Sequence, residues 1–137
     1  MTTIEKKTSK ALNISLWVGQ VVLATMFLIT GFMKSIAPIE QLSAMLSWPG
    51  DVPLELVRFI GITELLGGLG LLLPSLLRKK PILTPIAALC IIALMILAII
   101  FHITRSEFSL LGLNLFLAAL ALFVTWGRYR KVPITAK

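Results

Sequence analysis

Long apolar runs separated by short charged joints are the first feature of this chain. Runs of membrane-spanning length cover residues 14–34, 56–77, 82–103 and 108–127. Each is close to the ~20 residues that a helix rising ~1.5 Å per residue needs to cross ~30 Å of hydrocarbon. Backbone groups inside lipid must find partners within the protein, so the runs predict four membrane-spanning helices. The first run is longer than the apolar core of a signal peptide and leads into Gly31-Phe32-Met33-Lys34 without a small-residue cleavage site. It is read as a retained span.

The joints carry their own signals. Arg78-Lys79-Lys80-Pro81 reads as a tight polar hinge between the second and third spans. Thr84 before Pro85 has the form of an N-cap followed by proline at the first helical position. Thr104-Arg105-Ser106-Glu107 has capping-box spacing and predicts the start of the fourth span. The long connection, residues 35–55, places Ile39, Leu42, Met45 and Leu46 at helical spacing before Trp48-Pro49-Gly50. This pattern predicts a short amphipathic helix lying on the membrane surface. The expected fold is therefore all-α: a four-transmembrane-helix bundle with one interfacial helix, forming a single membrane domain over residues 1–137.

Composition sharpens this reading. The 137 residues are 58% hydrophobic and only 14% charged, where a soluble domain carries about 25% charge. Mean hydropathy is +0.97. The net charge of +7 does not mark a nucleic-acid binder, because the basic residues sit in the joints and form no face interleaved with aromatics. The lone Cys90 excludes an intramolecular disulfide and dithiol exchange.

Of the thirteen Lys and Arg residues, ten lie before the first span, in the second hinge and after the fourth span; only Lys34, Arg58 and Arg105 fall on the other side. By the positive-inside rule both termini are cytoplasmic and the protein is a multi-pass protein of the cell membrane. Trp17, Trp126 and Tyr129 stand where interfacial aromatics belong.

Charged and polar groups within the spans are costly and mark function. Glu64 is the clearest, about ten residues into the second span. Gly61, Glu64 and Gly68 share one helix face, and glycines there admit a close neighbouring helix. The carboxylate is expected to face the bundle and to be either protonated or paired with Lys34, Arg58 or His102. The first span repeats Gln20, Phe27 and Lys34, with Thr30 and Gly31 beside them. The third carries Thr84, Ala88, Ile91, Met95, Ala98 and His102 in one stripe, and the fourth Glu107, Leu111, Asn114, Ala118, Ala121 and Thr125. Folded together, these stripes predict a polar pocket with Glu64 at its floor. Lys34, Arg58, His102, Arg105, Glu107 and Asn114 stand above it, and residues 35–55 form its roof. Glu64, Lys34, His102, Asn114 and Arg58 are the ligand-pocket candidates. His102 is the only histidine and lacks an HxxxH or ExxH partner, so no metal site is expected. No nucleotide-binding, metalloprotease or Ser-His-Asp signature is present.

These motifs resemble a known family. Phe27, Gly31 and Lys34 fit an F-x-x-x-G-x-x-K ending of the first helix. Gly61 to Leu72 fits G-x-x-E-L-x-G-G-x-x-L-L, while His102 and the final Gly127-Arg128 are also similar. Together they resemble the DoxX-like family of small four-helix membrane proteins. The resemblance implies a subunit or partner of membrane-associated redox systems, linked to quinones or to oxidative stress. It carries over Lys34, Glu64 and His102 as candidate positions, with no agreed catalytic set.

The leading expectation is thus a small subunit supporting a membrane redox system, holding a small ligand or quinone head group near Glu64. Its partners would be the bilayer and a membrane oxidoreductase or a second copy of the chain. A proton-coupled transporter using Glu64 as exchanging carboxylate is the alternative. A third reading is a lipid-isomerase-like pocket with Glu64 and His102 as acid and base.

Overall fold

The computed structural model describes residues 2–137. Five α-helices follow one another: α1 Thr3–Ile36, α2 Ile39–Met45, α3 Leu54–Leu77, α4 Leu83–Thr104 and α5 Leu111–Trp126. A 3-10 turn, Pro49–Asp51, precedes α3. Another, Phe108–Leu110, leads into α5, and a π-helical turn, Gly127–Lys131, continues from it. Four helical segments are long and apolar enough to cross a membrane: Thr3–Ile36, Leu54–Leu77, Leu83–Thr104 and Phe108–Lys131. Four crossings bring both termini to the same face.

α1 begins well before the apolar run. Thr2 and Glu5 form a reciprocal capping box, with Thr2 N donating to Glu5 Oε2 (2.6 Å) and Glu5 N donating to Thr2 Oγ1 (3.2 Å). This satisfies two of the unpaired amides at the helix start, so the polar segment ahead of the span is helical too. The predicted short helix of the long connection is present as α2. Its Leu42 is fully buried, whereas Met45 is 59% exposed.

Two predicted starts differ from the structure. α4 begins at Leu83, not at Pro85, and no side chain caps it. Thr84 instead lies inside the first turn, and its hydroxyl is 2.7 Å from Ser75 Oγ on α3. Pro85 is tolerated because the first turn has no use for its missing N–H. Nor does Thr104–Glu107 form a capping box. Thr104 is the last residue of α4, and its hydroxyl donates back to Phe101 O. Ser106 N then donates to Ile103 O and Glu107 N to His102 O (3.1 and 2.9 Å), with Ser106 in the left-handed region at φ 59°. This double bond pattern is a Schellman ending, which turns the chain sharply. It folds the Glu107 side chain back over the end of α4.

The core is assembled from one stripe on each spanning helix: Leu23, Ala24 and Phe27 of α1; Leu71 of α3; Ala88, Ile91 and Met95 of α4; Leu117, Ala121 and Val124 of α5. Large apolar side chains such as Val18, Phe32, Leu66, Leu97 and Phe116 point outward. In water this exterior would be unstable; in a bilayer it is the lipid-facing surface. Cys90 on α4 is part of that exterior.

The closest packing is between α1 and α3. A Cβ added at Gly31 would lie 2.7 Å from both Gly61 O and Leu65 N. One added at Gly61 would lie 2.7 Å from Ser35 N and 2.8 Å from Lys34 C. Backbone meets backbone at this crossing, and only glycine fits on either side. The crossing sets Lys34 and Glu64 opposite each other.

Candidate functional site

Glu64 lies one turn beyond Gly61 on the face that meets α1 and is 5% exposed. Lys34 Nζ donates to Glu64 Oε1 at 2.8 Å, and both side chains are largely buried. Thr30 Oγ1 lies 3.1 Å from Glu64 Oε2 and 2.9 Å from Met26 O, one hydroxyl proton between two acceptors. Of the three cationic partners expected for Glu64, the structure supplies Lys34. Arg58 Nη1 instead donates to Lys34 O at 2.8 Å. It thereby caps one of the last carbonyls of α1, where a cation is favourable.

His102 pairs elsewhere. Its Nδ1 is 3.3 Å from Glu107 Oε1. Arg105 Nε donates to the same carboxylate oxygen at 2.6 Å, and its Nη2 to Asp51 Oδ2 at 2.7 Å. Ser47 Oγ donates to Glu107 Oε2. These bonds fasten the 47–51 stretch of the roof to the turn between α4 and α5. The two polar groups are joined through aromatic rings. Lys34 Nζ lies 5.5 Å from the Trp48 ring centroid, Trp48 meets Phe101 edge-on at 5.8 Å, and Phe101 meets His102 at 5.5 Å. The arrangement is an ion pair under an aromatic roof, with a second carboxylate network at the rim.

Asn114 is brought into neither network. Its Nδ2 is buried and without a hydrogen-bond partner among the described residues. Among the described residues, no three His, Cys, Asp or Glu side chains stand together so as to hold a metal ion.

A second polar layer, near the terminal face, was not predicted as a site. Arg128 in the π-turn is only 3% exposed. Its Nε donates to Gln20 Oε1 (2.5 Å), and its Nη1 to Asn13 Oδ1 (2.6 Å) and Val132 O (3.0 Å). Gln20 Nε2 in turn donates to Leu71 O and Ser75 Oγ. The sequence signal was Gln20 itself, an amide too deep in the first span to reach water, which requires partners inside the bundle. Trp48, Phe101, Ser47 and Asp51 were not predicted as site residues either; the aromatic residue in the roof was the available clue.

The rim has a pH signature. The Ser47 hydroxyl, followed by the Arg105 guanidinium, holds the Glu107 carboxyl down from about 4.5 to about 2. The Arg105 guanidinium is pushed up in return, chiefly by Asp51 and then by Glu107. A depressed carboxylate stabilises the folded state fully above its unfolded value, and that contribution is lost as the pH falls through the folded one. The melting temperature in detergent should therefore drop below about pH 4.5, more steeply for the wild type than for Glu107→Gln. Parallel curves for the two proteins would refute the latch.

The family model of the DoxX-like family matches residues 18–124, from within the first span to within the last. The chain belongs to the DoxX-like family. The matched stretch includes Lys34, Glu64, His102 and Asn114, so the ion pair and its roof lie in the shared part of this DoxX-like protein. Arg128 lies just beyond it. No curated protein and no solved structure matches the chain at the level of significance that would support a closer comparison.

Proposed function

We propose that this DoxX-like membrane protein is a small subunit supporting a membrane-associated redox system and that its bundle receives a carbonyl-bearing head group such as that of a quinone. The observation that carries the reading is the buried Asn114 Nδ2, an amide donor with no acceptor among the described residues. An unsatisfied donor in a low-dielectric interior is costly, and a carbonyl oxygen from outside the chain would relieve it. The Trp48 and Phe101 rings near the buried Lys34–Glu64 pair supply the flat apolar walls and charged anchor that small-ligand sites combine. A quinone would bring the electron-accepting ring, and this chain's part would be to bind and orient it. The charge bias across the spans, ten cations against three, supports a cell-membrane orientation with both termini in the cytoplasm.

The test is the quinone content of protein extracted gently from native membranes, measured per mole of chain by solvent extraction and mass spectrometry. Asn114→Leu is expected to lower it at least tenfold while leaving the melting temperature unchanged or raised. Equal quinone in wild type and variant would defeat the reading.

A further inference from the structure

A cleft of about 490 Å³ opens at the terminal face, away from the ion pair and its roof. Its walls come from three separate parts of the chain: Lys10, Asn13 and Trp17 of α1, Ser75 and Arg78 at the end of α3, and residues 132–135 of the tail. The tail is held there by backbone recognition, with Arg78 Nε donating to Thr135 O and Lys137 N donating to Arg78 O, both at 2.8 Å. Two cations line the cleft and no carboxylate does.

A third cation stands behind the wall. Both acceptors of Arg128 Nη1, Asn13 Oδ1 and Val132 O, belong to residues that line the cleft. The other terminal nitrogen, Nη2, is buried with no partner among the described residues. Its guanidinium also lies 5.3 Å from the Trp17 ring centroid. Arg128 thus braces two residues of a cleft whose lining carries two more positive groups and no negative one, a field that favours an anion. Trp17, Val132, Pro133 and Ile134 provide apolar walls on the same cleft, next to the end of the hydrocarbon layer where a lipid phosphate would lie.

We infer that this cleft binds a phosphate group, presented by an anionic phospholipid or free in the surrounding water. The site is separate from the Glu64 layer and does not depend on the redox reading. Arg78 and Lys10 would contact the phosphate oxygens from the rim, Arg128 would fix the wall through Asn13, and Trp17 with the tail would pack against the glycerol portion of a lipid.

The experiment measures retention of phosphatidylglycerol and phosphatidylcholine by native mass spectrometry of the full chain in a neutral detergent, with inorganic phosphate titrated as a separate arm. Lys10→Gln and Arg78→Gln, singly and together, remove cleft cations. Lys7→Gln with Lys79→Gln removes the same charge outside the cleft lining. Retention of phosphatidylglycerol over phosphatidylcholine should fall at least tenfold in the cleft double variant and no more than twofold in the charge-matched control. Lys10→Gln alone leaves the Arg78 bond to the tail in place, so a partial loss there separates ligand contact from tail release. Displacement of the lipid by millimolar inorganic phosphate identifies free phosphate as the natural occupant, and resistance to it identifies the lipid. Equal losses in the cleft and control variants, or no preference for the anionic lipid together with no binding of phosphate, would overturn the proposal.

Discussion

Glu64→Ala is expected to destabilise the protein by about 3–5 kcal/mol, the usual consequence of removing one partner from a buried ion pair. Lys34 would keep its charge at the α1–α3 crossing with nothing to receive it. Part of that cost is recoverable, because its aliphatic stem lets the ammonium turn outward toward the interface. Lys34→Met should therefore be at least as damaging, since Glu64 lies deeper and has no comparable route to water. The informative variant is the double one. Lys34→Met with Glu64→Met replaces both charges by flexible apolar chains and should restore much of the lost stability. The coupling is read from a double-mutant cycle of unfolding free energies in detergent. If the double variant were as unstable as the sum of the singles, the two side chains would not act as a pair.

Gly61→Ala should produce a loss of about 1–3 kcal/mol from a single added methyl group. The methyl would meet backbone atoms of Lys34 and Ser35 at 2.7–2.8 Å. Backbone cannot rotate aside as a side chain can, so α1 and α3 must separate. Separation would also lengthen the Lys34–Glu64 contact, and the two losses would arrive together. Gly112→Ala is the natural control, because nothing lies within 4 Å of its Cβ position. Its melting temperature should match or exceed that of the wild type, helped by the higher helix propensity of alanine. A Gly61→Ala protein as stable as Gly112→Ala would mean that the two helices do not meet through their glycines.

Much of this architecture is legible in the order of residues, and the exceptions have physical causes. The apolar runs specify the spans because lipid leaves the backbone few alternatives. The stripe predicted on α4 is the face that packs inward: Thr84, Ala88, Ile91, Met95 and His102 are all buried. The stripe predicted on α5 is rotated. Leu117, Ala121 and Val124 are its buried residues, while Asn114, Ala118 and Thr125 lie at the flank. The predicted face followed the polar residues Asn114 and Thr125, whereas burial follows the apolar Leu117, Ala121 and Val124 that join the core. The misread caps have a related origin. Threonine and glutamate at capping spacing compete for several partners, and here Thr84 found Ser75 while Glu107 found Ser47, Arg105 and His102.

The candidate site was legible in part. The pairing of Glu64 with a cation follows from the cost of an isolated charge in hydrocarbon, but geometry chose Lys34 over Arg58 and His102. That choice depends on a glycine crossing whose register no one-dimensional pattern specifies. Arg128 stayed hidden for a different reason. A basic residue after the last apolar run looks like any other interfacial cation, and only the π-turn at Gly127–Lys131 draws it inward.

The outward position of Cys90 gives the protein a built-in spectroscopic ruler. It is the only thiol in the chain, and on α4 it faces acyl chains and not neighbouring helices. A membrane-permeant nitroxide attached there would report from one known depth without any engineered substitution. Dipolar broadening between labels would then measure how near two copies of the molecule come in a native bilayer, and its absence would identify a solitary bundle.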